Sequence, residues 1–95
     1  MLNWLKDIFK KNNSKLKFGS AFGVLHGQFT GELFVYIEST ETTLHFLSIP
    51  NMKTREVPKD KYEYAIKNRV IEYIERLPRN ERKVCKAQYI ANKHE

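Results

Sequence analysis

From Ser20 to Met52 the chain has no lysine or arginine, although it holds 17 of them in 95 residues. This block has to supply most of the buried surface, and its pattern decides how. In "ELFVYIE", Leu33, Val35 and Ile37 point one way and Phe34 and Tyr36 the other. A period of two with β-branched and aromatic side chains predicts a strand. "KFGSAFGVLHG" predicts an earlier strand ending near Gly27, and "LHFLSI" a later one stopped by Pro50 and Asn51. The polar "STETT" supplies the turn between the second and third. Sequential strands with short connections make an antiparallel meander. "KTREV" predicts a short fourth strand at its edge.

The four glycines stand at positions 19, 23, 27 and 31. Neither G-x-x-x-x-G-K-[ST] nor G-x-G-x-x-G is present, so a phosphate-cradling loop is not indicated. The spacing reads instead as bending of the sheet or close approach of a helix to it.

The flanks read as helices. In "MLNWLKDIFKK", Trp4, Leu5, Ile8 and Phe9 share one side and the lysines lie mostly elsewhere. "DKYEYAIKNRVIEYIERL" predicts one long helix capped by Asp60, with Glu63 in capping-box position. Its apolar face is Tyr62, Ile66, Val70, Tyr73, Ile74 and Leu77, while Tyr64 and Ile71 form a second stripe. Pro78 ends it. Asn80 is the expected cap of a last helix over 81–92, with Val84, Ala87 and Ala91 turned inward.

The expected fold is α+β: a small antiparallel meander of three to four strands with an N-terminal helix and two C-terminal helices, α-β-β-β-α-α. All 95 residues form one domain, with helix and turn over 1–14, sheet over 15–57 and a helical part over 58–95. The leading α-β-β-β-α order is shared with double-stranded-RNA-binding domains, where the start of the last helix contacts RNA. "VPKDKYEYAIKNR" stands in that place and offers Lys59, Lys61 and Lys67.

Charge placement guides the functional reading. Residues 1–19 hold five lysines and one acid, and residues 53–95 hold twelve cations and seven acids. A net charge of +6 on two basic ends suggests an anionic partner. On the last helix, Arg82, Lys86, Tyr89 and Lys93 recur at helical spacing, and Arg79 extends the row. A basic row with an inset aromatic suits phosphates and a stacked base. The expected function is therefore non-catalytic nucleic-acid binding, RNA ahead of DNA, through these residues and a second set at Lys59, Lys61 and Lys67.

A second class is protein binding, as an inhibitor or adaptor. Small basic proteins of phages and mobile elements act in this way on a host enzyme, a toxin or a defence component. The partner would present an acidic surface or meet Phe34, Tyr36, Phe46, Tyr64 and Ile71, and a homodimer fits the same residues. Association of the N-terminal helix with a membrane surface ranks third. No stretch has the length of a membrane span.

Catalysis is not expected. His26 and His45 lie on strand segments that a meander brings near each other, but they lack an acid partner or nucleophile motif. One cysteine, Cys85, leaves no internal disulfide and no structural zinc set, and no cofactor is expected. A cytoplasmic location is the reading these features favour.

Overall fold

The computed structural model describes residues 16–94. The helix expected over residues 1–14 lies outside the described residues. The rest is an α+β domain with a five-stranded sheet and two helices. The strands are β1 (Ser20–Val24), β2 (Leu33–Ser39), β3 (Thr43–Ile49), β4 (Lys53–Pro58) and β5 (Ile71–Arg76). Helix α1 (Lys59–Lys67) lies between β4 and β5, and α2 (Arg79–Lys93) follows β5.

The sheet order is β4-β3-β2-β1-β5, and every neighbouring pair is antiparallel. The first four strands are the expected meander, with "KTREV" as its edge. The fifth strand enters from the other side: α1 carries the chain across one face, and β5 pairs with β1.

Strand alternation divides the interior into two layers. One face gathers Ala21, Val35, Ile37 and Leu47 under Cys85 and Tyr89 of α2. The other gathers Phe22, Val24, Phe34, Leu44, Phe46 and Ile71, with Tyr62, Ala65 and Ile66 of α1 packed on them. Phe22 is the centre of the second layer. Its ring meets Phe46, Tyr62 and Tyr73 edge-on at centroid distances of 6.0, 5.8 and 5.7 Å, an arrangement the ring quadrupole favours.

The long helix expected from Asp60 to Leu77 is two elements. α1 stops at Lys67, and residues 71–76 form a strand. Arg69 adopts the left-handed conformation (φ 54°). The Arg69 amide donates to the Ile66 carbonyl and the Val70 amide to the Ala65 carbonyl. That pair of bonds is a Schellman termination. Val70, Ile71 and Ile74 are β-branched and suit a strand once β1 offers an edge. The shared order with double-stranded-RNA-binding domains fails here, because β5 occupies what would be the second half of their last helix.

The expected caps also differ. Each helix begins directly after a proline, Pro58 or Pro78, with no side-chain cap. The Asp60 Oδ1 accepts from the Lys61 amide instead, and α2 begins before Asn80 at Arg79.

Candidate nucleic-acid interface

Helix α2 is rotated relative to the expected register. Cys85 and Tyr89 face the core, Tyr89 being only 1% exposed. Val84, at 60% exposure, and Ile90, at 43%, face outward together with Ala87 and Ala91. The inward row therefore includes Tyr89, the residue expected to stack on a base, with Arg82 and Lys86 half-buried beside it. Tyr89 packs against Ala21, Val35, Ile37 and Leu47, and its ring stands 6.1 Å from the His45 imidazole. Burial raises the pKa of its phenol, Glu38 adds to the shift and Lys93 opposes it. A ring so placed is not available to stack on a base. Lys93 pairs with Glu38 at 3.8 Å and lies 5.1 Å from the Tyr89 ring centroid.

The physical reason is the size of what each side covers. Val84, Ala87 and Ala91 are too small to span the gap to a sheet face. Tyr89 and Cys85, flanked by the stems of Arg82 and Lys86, fill it. Burial raises the Cys85 thiol pKa, helped by Glu81, which leaves little thiolate.

At the N-terminal end of α2 the basic residues do converge. β5 ends at Arg76, and the Leu77 amide donates to the Gly19 carbonyl at 2.9 Å. The Arg76 Nε donates to the Phe18 carbonyl at 3.0 Å. The Arg82 guanidinium donates to the Leu77 carbonyl at 2.9 Å, and its stem lies on Gly19. A Cβ at Gly19 would overlap that stem, and the φ of 89° there is one that only glycine adopts freely. The close approach anticipated from the glycine spacing is thus realised at Gly19. The Lys86 Nζ sits 5.7 Å from the ring centroid of half-buried Phe18.

The result is a corner around Phe18 that holds Lys17, Arg76, Arg82 and Lys86, with Arg79 and Lys83 on the first turns of the same helix. Lys17, Arg76, Arg79 and Lys83 are exposed. Among the described residues, the ion pairs are His45–Glu56, Arg55–Glu32 and Lys93–Glu38. None of them engages a corner cation, although Glu75 and Glu81 are close in sequence. Sequence reasoning found Arg79, Arg82 and Lys86 but missed Lys17, Phe18, Arg76 and Lys83. The contribution of Lys17, Phe18 and Arg76 depends on β5 pairing with β1, which a long helix hides, whereas Lys83 lies on α2 itself, outside the row of helical spacing.

The second set stays separate. Lys59, Lys61 and Lys67 are exposed along α1, on the other face of the sheet. Arg55, on the neighbouring β4, is engaged elsewhere: its guanidinium stacks 4.2 Å from the Phe29 centroid and pairs with Glu32 at 3.5 Å. Glu32 also accepts a hydrogen bond from the buried Ser48 hydroxyl.

Of the candidate interface residues, Phe34, Phe46 and Ile71 belong to the core, and Tyr36 packs against it. A sheet with both faces partly covered has no aromatic surplus at those positions. Tyr64 alone is outward, at 65% exposure. His26 and His45 lie towards opposite ends of the sheet: His26 follows β1 beyond Val24, whereas His45 sits near the start of β3 opposite Glu38. They do not form a pair.

The chain matches no family model, no curated protein and no solved structure.

Proposed function

We propose that the protein binds nucleic acid without catalysing a reaction, with RNA as the main partner, through the corner around Phe18. The observation that carries this reading is the convergence of Lys17, Arg76, Arg82 and Lys86 from the segment before β1, the end of β5 and α2, with exposed Arg79 and Lys83 extending the cluster along the start of α2. The ion pairs of the described residues involve none of them. Such a cluster releases counterions from a phosphate backbone when it binds. Phe18 packs partly on the first core layer with Lys86 over its ring, and unlike Tyr89 it stays half exposed, so what remains open suits an unpaired base better than a closed duplex. Single-stranded RNA is therefore placed ahead of duplex DNA, and α1 and α2, separated by a strand, do not form a helix-turn-helix.

The test is fluorescence anisotropy with a labelled single-stranded RNA. Arg79→Glu combined with Lys83→Glu weakens binding strongly, since both side chains are exposed and neither holds the fold. Lys59→Glu with Lys61→Glu has a smaller effect. Equal affinity in all three proteins contradicts the reading.

A protein partner is the second reading, supported by the outward Val84 and Ile90 of α2. Recovery of one protein in a pull-down that survives nuclease treatment, with no RNA retained, favours it.

A further inference from the structure

The face that carries α1 is only partly covered. Five strands about 4.8 Å apart make a face about 19 Å wide, whereas one helix is about 10–12 Å across with its side chains. Among the described residues α1 is the only helix on that side, and none of its residues is fully buried. Beside it runs a cleft of about 940 Å³. Phe22, Leu25, Leu44, Ile66, Ile71 and Tyr73 supply its apolar walls.

The chain itself points to the occupant. Leu16, the first described residue, lines this cleft and packs against the Phe22 layer. Leu16 thus ties the preceding part of the chain to the cleft wall. Within that part, Trp4, Leu5, Ile8 and Phe9 share one side of a helical pattern. Eleven helical residues span about 16 Å, and the five residues of β1 extend about 17 Å, so the lengths agree. The rim carries both signs. Glu63 and Glu72 suit the lysines at positions 6, 10 and 11, and Lys59, Lys67 and Arg69 suit Asp7. The outward face of α2 is the competing apolar surface, but α2 covers the opposite side of the sheet from Leu16.

We propose that residues 1–14 of this chain dock as an amphipathic helix in the cleft beside α1, with Trp4, Leu5, Ile8 and Phe9 against its apolar walls. The docked segment completes the second core layer and covers Leu25, an exposed residue of the cleft wall. It also removes the N-terminal apolar stripe from solvent, so that this stripe is not a free membrane-binding surface.

Trp4 is the only tryptophan, so its emission reports the docking in the full chain. Expected are blue-shifted emission and protection from iodide, both independent of protein concentration. Leu25→Glu, at a partly exposed wall position, shifts the emission to the red and restores quenching. Ile90→Glu, on the outward face of α2, leaves both unchanged. Far-UV circular dichroism confirms that each variant is folded. Four results overturn the proposal: solvent-like emission in the parent protein; a blue shift that grows with protein concentration, which places the segment in a second copy; a blue shift seen only with phosphatidylglycerol vesicles; or displacement of Trp4 by Ile90→Glu and not by Leu25→Glu.

Discussion

At the scale of the residue, Tyr89 separates a core role from a binding role. Its ring fills the space between α2 and the first sheet face, and its hydroxyl end lies near Glu38 and Lys93. Tyr89→Ala should destabilise the fold by about 3–5 kcal/mol, the usual range for truncating a buried aromatic. Tyr89→Phe should keep RNA affinity unchanged in the same anisotropy titration, because the ring meets protein and not a base. Tyr62 gives a second residue-level expectation. Burial, with a contribution from Tyr36, pushes its phenol up to about 12. A group whose folded pKa is raised stabilises the fold fully below its unfolded value, about 10 for tyrosine. That stability is lost as the pH rises from about 10 through 12. Urea midpoints at about pH 9 and about pH 11 should differ in the parent protein and differ less in Tyr62→Phe.

At the scale of the element, "ELFVYIE" and "LHFLSI" were legible because one period and one set of side chains agree there. The region from Asp60 to Leu77 was not. Tyr62, Ile66, Val70, Tyr73, Ile74 and Leu77 satisfy a helical period, and the stop signal between them carries no glycine or proline. Arg69 takes the left-handed position that glycine ordinarily fills. A non-glycine residue there is strained by roughly 1–2 kcal/mol. Arg69→Gly should therefore raise stability, by about 1 kcal/mol after the entropy of glycine is counted, as read from urea unfolding. The same dependence on neighbours explains α2. Its periodicity is visible in the sequence, but which side faces inward is set by the gap above the sheet. That gap selects Tyr89 and Cys85 over Val84, Ala87 and Ala91.

At the scale of the whole molecule, charge is sorted by topology. The cation-free stretch from Ser20 to Met52 supplies three strands of the sheet, so the cations fall to the ends of the chain. The antiparallel pairing of β5 with β1 then brings Arg76 and the start of α2 to the Lys17–Gly19 segment. The candidate site was thus half legible. Arg79, Arg82 and Lys86 are apparent from helical spacing, whereas Lys17, Phe18 and Arg76 join them only through a long-range strand pair. The most direct test of the corner is the salt dependence of RNA binding. Each phosphate contact on a single strand contributes about 0.7 to the slope of log K against log salt. Replacing two contacting cations should then reduce that slope by about 1.4. The prediction is that Arg79→Glu with Lys83→Glu shows this loss while its circular dichroism stays that of the parent protein. An unchanged slope and affinity in the folded double variant would contradict the assignment of the corner as the RNA contact.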